Sequence, residues 1–373
     1  MEPQLNKRFR VFRPATKWSG HIACVVICTV VLSVCASART IITFDAPGAQ
    51  LTRPFAISDT GVITGDYRGS GGVVHGFLRT PYGSVISFDA PGSTYTSGLS
   101  INPQGEITGF YLDAGNVYHG FVRAPNGSFA TFDAPGAGTE AYQGTLGVGI
   151  NPEGEVAGQS IDSSGAIHSF VRAANGRITV YDAPGAGTGS GQGTYVATVD
   201  GISLTGDSGG SYVDNSNVWH GFFRDRDGKI TEFVVPGAGT GAGQGTQVGG
   251  INAFGVSEGV FVDAGNALHG FVRSAHGTIT NYDVTGAGTG AGQGTGGGNV
   301  NLFGTIAGSY IDSGNVSHGY YRTADGRVTK FEVMGAGTYA GQGTFPSCNN
   351  AWNWITGWYI DSSGTVHGFV STP

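Results

Sequence analysis

Short runs of alternating apolar and polar residues, joined by glycine-rich turns, fill the chain from residue 40 onward. One unit comprises four runs in succession, Val248–Asn252, Val256–Asp263, Leu268–Arg273 and Thr278–Val284. β-Branched and aromatic residues dominate these runs, and turns of roughly 3–5 residues with Gly or Asn join them, which is typical of consecutive β-hairpins. No segment after residue 40 combines a helical period with caps. The pattern predicts an all-β protein built from units of four strands, A to D.

The four-strand unit recurs seven times, and its strand C carries His-Gly-Phe or a close variant. The histidines lie 44 to 52 residues apart, at His75, His119, His168, His220, His269, His318 and His367. Repeated four-stranded units of roughly 40–50 residues are typical of β-propellers. A D-type run at 40–48 comes first, and a C-type run at 366–370 comes last. We therefore predict a seven-bladed β-propeller of four-stranded antiparallel blades over residues 39–373, a ring closed by pairing of the N-terminal strand with the last blade.

Residues 1–38 have the pattern of a signal peptide. The basic segment contains Lys7, Arg8, Arg10, Arg13 and Lys17. An apolar run over 22–34 follows, and Ala36-Ser37-Ala38 offers a cleavage site before Arg39. An uncleaved anchor is the alternative, because 22–38 is only slightly shorter than the roughly 20 residues of a spanning helix. The pattern predicts export to the periplasm, the cell envelope or the medium.

Composition excludes several partners. The net charge is −7 and becomes more negative without the basic leader, so neither nucleic acid nor an anionic membrane surface is expected as a partner. Cys348 is the one cysteine outside the leader, so no disulfide framework supports the fold. We expect a monomer whose stability comes from its core and its strand ladder.

The repeat frame resembles a known family. The frame is I-N-x-x-G-x-[IV]-x-G-x-[YF]-x-D-x-x-G-N-x-x-H-G-F-[VL]-R, with clear copies at Ile101–Arg123, Ile251–Arg273 and Val300–Arg322. It resembles the HAF-type repeat of exported bacterial proteins, which is named for a His-Ala-Phe tripeptide. Here Gly replaces Ala in most copies, and strand D carries F-D-A-P-G in place of a leucine-rich segment, so the chain looks like a divergent branch. The resemblance covers residues 40–373 and implies an exported repeat protein, with no agreed activity.

An aspartate precedes the histidine by six residues in six of the seven copies, where Gly69 stands in the first. These aspartates are Asp113, Asp162, Asp214, Asp263, Asp312 and Asp361. A ring of metal or ligand sites is one interpretation, because both side chains can be ligands. The other is structural: Asp accepts turn amides and His anchors the hairpin or a neighbouring blade. Recurrence in nearly every copy favours blade anchors, and we expect no metal site and no cofactor.

Glycine recurs at two further places. Strand B has a central glycine in every copy, such as Gly109 and Gly259, which we expect to make room for the aromatic ring of His-Gly-Phe. The loop G-A-G-T-x-x-[GY]-Q-G-T joins strand D to the next strand A in five copies, the first at Gly136–Thr145. It lacks the lysine of a phosphate-binding loop and the helix of a dinucleotide site, so a nucleotide ligand is not expected.

Binding function is expected on the face where the D–A loops and B–C turns emerge, or at the mouth of the channel. Tyr142, Tyr195 and Tyr339 lie on or next to these loops. The last copy breaks the repeat with Trp352, Trp354 and Trp358. These tryptophans are either a carbohydrate-binding patch or packing that locks the closing blade.

The leading functional hypothesis is a secreted, non-catalytic binding module whose partner is a polysaccharide or another extracellular protein. A lectin-like propeller for extracellular polysaccharide is the alternative, and a glycan-cleaving propeller is a third class. Cleavage requires unrepeated carboxylates or histidines that converge. The unrepeated candidates lie in different copies and at different strand positions, namely Glu140, Asp207, Glu258 and His276. We therefore predict no catalytic residues.

Overall fold

The computed structural model describes residues 39–197 and 201–373, which form 28 β-strands and no helix. Within these ranges, no helix could therefore cross a membrane. The predicted signal peptide, residues 1–38, lies outside the described residues. The all-β architecture expected from the sequence is confirmed.

The strands fall into sets of four, each corresponding to one A–D unit. Set 1 is β2–β5 (Ala49–Ile57, Ile63–Gly69, Val74–Arg79, Val85–Phe88), and set 2 is β6–β9 (Tyr95–Ile101, Ile107–Leu112, Tyr118–Arg123, Phe129–Phe132). Set 3 is β10–β13 (Gly144–Ile150, Val156–Ile161, Ile167–Arg172, Ile178–Tyr181), and set 4 is β14–β17 (Gly193–Val196, Ser208–Val213, Trp219–Arg224, Ile230–Phe233). Set 5 is β18–β21 (Gly245–Ile251, Ser257–Val262, Leu268–Arg273, Ile279–Tyr282), and set 6 is β22–β25 (Gly294–Val300, Ile306–Ile311, Ser317–Arg322, Val328–Phe331). Set 7 is β26–β28 (Gly343–Asn349, Ile355–Ile360, Val366–Thr372) with β1 (Thr40–Phe44) as its fourth strand.

Consecutive strands within a set pair antiparallel. The strand at the start of the described chain completes the last set, because β1 pairs antiparallel with β28 from Thr40 opposite Thr372 to Phe44 opposite Gly368. Neighbouring sets are joined at strand A by single parallel bridges, such as the one between Tyr118 and Gly144. Gly144 has φ 120°, and a Cβ there would lie 2.1 Å from the Tyr118 carbonyl oxygen, so only glycine fits. The result is a β-propeller-like ring.

The core lies between the sets. The aromatic residue of His-Gly-Phe is at most 1% exposed in every set, at Phe77, Phe121, Phe170, Phe222, Phe271, Tyr320 and Phe369. Each ring makes an edge contact with the strand D aromatic of the preceding set, as between Phe88 and Phe121 at 6.3 Å. The same contact crosses the junction of the chain ends, between Phe44 and Phe77 at 6.1 Å. These contacts repeat around the whole ring and supply much of its apolar burial.

An arginine at the end of strand C seals six of these interfaces. Arg123, for example, lies over the ring of Phe88 at 5.0 Å, a cation–π contact. Set 7 has Ser371 at this place. Arg39, which immediately precedes β1, supplies a guanidinium there. The Arg39 guanidinium donates from Nε to Ser371 Oγ at 2.8 Å and lies over the ring of Tyr321 at 5.1 Å.

The strand B glycines have a closer neighbour than the one expected from the sequence. A Cβ on Gly109 would lie 3.0 Å from the Phe121 ring but 1.9 Å from the carbonyl oxygen of Ser97 on strand A. The same holds for Gly259, at 2.8 Å from Phe271 and 2.1 Å from the Gln247 oxygen. The strand A backbone, beside a β-bulge, is therefore the stricter reason for glycine.

The glycine of His-Gly-Phe is covered by the strand D ring of its own set, which gives a testable prediction. A Cβ on Gly120 would lie 2.4 Å from the Phe132 ring. We expect Gly120→Ala to lower the free energy of unfolding by about 1–3 kcal/mol, because the ring must leave its place. Gly71→Ala is the matched control, since nothing lies within 4 Å of a Cβ there. Urea denaturation of both variants checks this, and equal stabilities would contradict it.

Candidate functional site

The D–A loops and the B–C turns contact each other, and together they form what we call the upper face. The backbone N–H of Tyr142 donates to the Asn116 carbonyl at 2.8 Å, and the corresponding bond recurs from Gly191 to Gly165. In four of the five Gly-rich loops the glutamine then reaches the turn of the following set, as from Gln244 Nε2 to Asn266 Oδ1 at 3.0 Å. The A–B and C–D turns lie at the other end of the strands, which we call the lower face.

The recurring histidines hold the upper ends of the sets together. Asp113 Oδ1 accepts the turn amides of Gly115 and Val117, and the other turn aspartates accept equivalent bonds. The second oxygen of the turn aspartate faces histidine Nε2, at 3.0 Å for Asp214 and His220. In six sets the histidine ring also packs on an aromatic ring of strand B, as His269 does on Phe261 at 4.8 Å.

Six of the seven histidines also have a carboxylate neighbour that was not expected from the sequence. It lies at the end of strand D and faces Nδ1, as Asp133 does with His119 at 2.8 Å. Asp89, Asp182, Asp283, Glu332 and Asp45 play the same part in five other sets. The signal was present, because an acidic residue follows the histidine by 14 residues in five sets. Set 4 has Val234 there.

The two carboxylates raise the pKa of three of the histidines. Partial burial alone would lower the pKa of His318, but Asp312 and Glu332 outweigh it and raise the pKa above its ordinary value. The pKa of His168 and that of His367 are raised in the same way. On the aspartate side, bonds from Ser363 and the turn amides lower the pKa of Asp361 to about 2. These ion pairs tie the B–C turn to strand D.

Tyr142 occupies a position at which other copies have glycine. Its φ is 64°. The matching residues have φ between 74° and 80°, namely Gly191, Gly243, Gly292 and Gly341. A non-glycine residue in this left-handed region is strained, and such strain is found at functional sites. The ring of Tyr142 is nevertheless 62% exposed, so burial of the side chain does not offset the cost of the strained backbone.

Tyr142 ends a continuous series of rings on the inner, upper part of sets 7, 1 and 2, which we call the aromatic arc. Its members are Phe345, Trp358, Phe55, Arg53, Tyr95, Phe110, Tyr118 and Tyr142. Each contacts the next: Phe345 stacks on Trp358 at 6.0 Å, Trp358 meets Phe55 edge-on at 6.0 Å, and Arg53 lies over Phe55 at 5.7 Å. Tyr95 stacks on Phe110 at 5.6 Å, Phe110 contacts Tyr118 at 5.4 Å, and Tyr118 lies 6.4 Å from Tyr142. The members before Tyr142 are half-buried, so each keeps part of its surface exposed to solvent.

An unrepeated polar cluster lies in the middle of the arc. Arg53 donates from Nε and Nη2 to the two oxygens of Asp66, at 2.9 and 3.0 Å. Asp66 also accepts bonds from Tyr95 and Ser97, at 3.1 and 3.0 Å, and is 1% exposed. Four donors on one buried group are the arrangement of an ionised carboxylate. Burial opposes the charge on Arg53, but the Asp66 carboxylate outweighs it and raises the pKa of Arg53.

The structure separates the aromatic residues singled out in the sequence. Tyr142 and Trp358 belong to the arc. Tyr195 forms a separate pair with Trp219 at 5.1 Å, and Tyr339 is 71% exposed on the last D–A loop. The three tryptophans of the last copy do not form one patch, which corrects the interpretation of a single carbohydrate-binding patch there. Trp352 and Trp354 lie in or beside the turn between β26 and β27 on the lower face, whereas Trp358 lies further along β27.

The remaining arc residues were missed because each departs from the repeat at only one strand position. The place of Phe110 and Trp358 is occupied by Asp66, Gln159, Ser211, Val260 and Ser309 in the other copies. That variability was the available signal. It marks a position at which the repeat does not require one residue type, and it could have drawn attention to strand B.

The lower face holds a cavity of about 270 Å³ at the centre of the ring. Ile57, Ile101 and their counterparts line it above a belt of asparagines and serines. The asparagine amides are already engaged, since Asn151 Nδ2 donates to the Ser203 carbonyl and Asn350 Nδ2 to the Ser58 carbonyl of the next set. The belt therefore closes the ring and has little polar capacity for a ligand.

The unrepeated acid and base candidates do not converge. Glu140 is exposed on the upper face, Asp207 and His276 lie in lower-face turns, and Glu258 is fully buried in set 5. Among the residues that the structure describes, no three His, Cys, Asp or Glu side chains could hold a metal ion together.

The fold is similar to solved propellers. The BP39L lectin from Burkholderia pseudomallei matches with a TM-score of 0.52 and 10% identity, over 87% of this chain and 99% of that chain. TolB from Acinetobacter baumannii gives 0.44 and 12%, over 80% and 76%, and the Aleuria aurantia lectin gives 0.37 and 11%, over 89% and 97%. No protein-family model matches the chain, and no curated protein matches it. At these identities the likeness to the BP39L lectin supports the fold alone, an all-β ring of propeller type.

Proposed function

We propose that this protein is a non-catalytic, lectin-like binding module, a seven-bladed β-propeller in which each set of four strands is one blade. The aromatic arc holds a sugar chain. The observation that carries the proposal is the arc itself: linked and partly exposed rings, confined to three of seven blades. The C–H faces of pyranose rings pack on aromatic rings, while hydroxyls need a few placed polar groups, here Arg53 and Tyr95.

The polar cluster supports binding rather than cleavage. Glycoside hydrolysis needs two carboxyl groups on either side of the scissile bond, one of them free to exchange a proton. Asp66 is the acid nearest the centre of the arc, and its oxygens are taken up by Arg53, Tyr95 and Ser97. It orients Arg53. We therefore propose binding without turnover.

Two tyrosine-to-glycine variants test this function. Tyr142→Gly and Tyr339→Gly each convert an exposed tyrosine into the residue that sister loops have, so neither disturbs the fold. We expect the mature protein to bind glycans on an array, and Tyr142→Gly to weaken that binding about tenfold, because a stacked aromatic ring contributes about 1 kcal/mol or more. Tyr339→Gly should bind as wild type does.

The outcomes are distinct. A blank array for the wild-type protein, or equal affinities for wild type and Tyr142→Gly, would refute the proposal. Release of reducing sugars would refute its non-catalytic part. Thermal denaturation of both variants provides the control, and we expect Tyr142→Gly to be at least as stable as wild type because it relieves the strained φ.

We further propose that the protein is exported and is a divergent HAF-type repeat protein. The basic segment, the apolar run and Ala36-Ser37-Ala38 support export, and the H-G-F frame supports the family. N-terminal sequencing of the protein recovered from its native host tests this, with Arg39 as the expected first residue.

A further inference from the structure

We infer that the arc selects electrically neutral sugars and disfavours chains that carry carboxylates. This inference rests on the proposed function and names the ligand class of the same site. It follows from the charges around the arc, taken in three steps.

The first step is the compensation of the one cation in the arc. The Arg53 guanidinium forms a two-point ion pair with Asp66, which is 1% exposed and held by Tyr95 and Ser97 as well. An anionic sugar would therefore meet a cation whose charge is already matched. A carboxylate that lost its water there would gain little net attraction.

The second step concerns the donors that Arg53 still offers. Its Nε and Nη2 atoms bind Asp66 and Tyr95, whereas Nη1 has no hydrogen bond within the described protein, and the side chain is 35% exposed. The two N–H groups of Nη1 are thus available without net charge at the site. Sugar hydroxyl and ring oxygens are suitable acceptors.

The third step is the acidity at the Tyr142 end of the arc. Glu140 is exposed two residues before Tyr142, and the Tyr142 loop is bonded to the turn that contains Asp113. Bonds from the turn amides of Val117 and Gly115 favour the ionised form of the Asp113 carboxyl. The whole chain is also negative, at −7. Both acids repel a polyanion at this end of the arc.

A matched pair of polymers tests the inference, namely polygalacturonic acid and its fully methyl-esterified form, beside neutral xylan, mannan and dextran. We expect the wild-type protein to bind at least one neutral polymer, to prefer the ester over the acid by at least about tenfold, and to change affinity less than about twofold between 50 and 500 mM NaCl. A preference for the acid that weakens with salt would overturn the inference and leave the proposed function standing. Binding to none of these, with a blank glycan array, would refute both.

Asp66→Asn provides a second test, because it removes the compensating charge and keeps the side-chain shape. We expect this variant to lose its preference for the ester, with affinity for polygalacturonic acid rising at least about fivefold. Arg53→Gln is the matched variant and should weaken binding to all neutral polymers. If Asp66→Asn does not fold, the salt dependence of the wild-type protein decides alone. An Asp66→Asn protein that folds and still rejects the acid would contradict the charge argument.

Discussion

Glu258→Gln is expected to stabilise the protein at pH 8 by about 3 kcal/mol. Burial raises the pKa of Glu258 to about 7, against 4.5 for the ordinary side chain, so the folded state holds a proton that the unfolded state releases. A raised pKa adds stability that is complete below pH 4.5 and is lost as the pH rises through 7. A shift of this size corresponds to roughly 3 kcal/mol, and glutamine stays neutral throughout.

The surroundings of Glu258 explain why it is costly. The side chain fills space left by glycines on strand A of the next blade, and Oε2 accepts a long bond from the Gly298 amide at 3.3 Å. Oε1 has no hydrogen-bond partner. The nearby hydroxyls of Tyr282 and Tyr320 bond to each other and to the Gly296 carbonyl, so they do not serve it. An ionised carboxylate there has almost no compensation.

Urea denaturation at pH 5 and pH 8 measures this effect. Wild type should lose roughly 2–3 kcal/mol from Glu258 between these values, in addition to the loss from His168, His318 and His367, whose raised pKa values act in the same direction. Glu258→Gln should retain only the histidine part. Glu153→Gln, at an exposed position, is the control. An unchanged pH slope in Glu258→Gln would show that Glu258 is not protonated in the fold.

Phe44→Ala is expected to lower the free energy of unfolding by about 3 kcal/mol. The ring lies on the closing strand β1, contacts Phe77 of set 1 at 6.1 Å, and lies beneath Arg79 at 4.7 Å. It also covers Gly368 in its own blade, where a Cβ would lie 2.9 Å away. Loss of a packed phenylalanine leaves a cavity and typically costs about 3–5 kcal/mol, and Phe44 is only partly buried.

Phe88→Ala is the internal control for this prediction. Phe88 makes the same contacts with Phe121 and Arg123 inside a continuous stretch of chain. Equal losses for the two variants, measured by chemical denaturation, would show that the closing strand supports the ring as fully as an ordinary strand D. A loss below about 1 kcal/mol for Phe44→Ala alone would contradict closure by β1.

The repeat and its hairpins could be read from the sequence because they depend on neighbours a few residues apart. The alternation, the turn glycines and the His-Gly-Phe tripeptide predicted the strands, and the D-type run at the start predicted its pairing with β28. The partner of histidine Nδ1 was missed, although its spacing was regular. The aspartate six residues before the histidine was identified, whereas the acidic residue 14 residues after it was not.

The aromatic arc could not have been predicted, because ring closure creates it. Phe55 and Trp358 lie some 300 residues apart in sequence and touch only once the last set returns to the first. The burial of individual acidic residues could not have been predicted from the sequence either. Glu258 and Asp66 are ordinary acidic residues in the sequence. Only the folded surroundings raise the pKa of Glu258 to about 7 and bring the Arg53, Tyr95 and Ser97 side chains to Asp66.

The most direct test of the account is a crystal structure of the mature protein with the tightest-binding neutral oligosaccharide from the array. We expect sugar rings to pack on the aromatic arc between Trp358 and Tyr142, with a sugar oxygen within hydrogen-bond distance of Arg53 Nη1. A sugar bound instead in the lower-face cavity lined by the asparagine belt, or at the Tyr195–Trp219 pair with the arc empty, would contradict it.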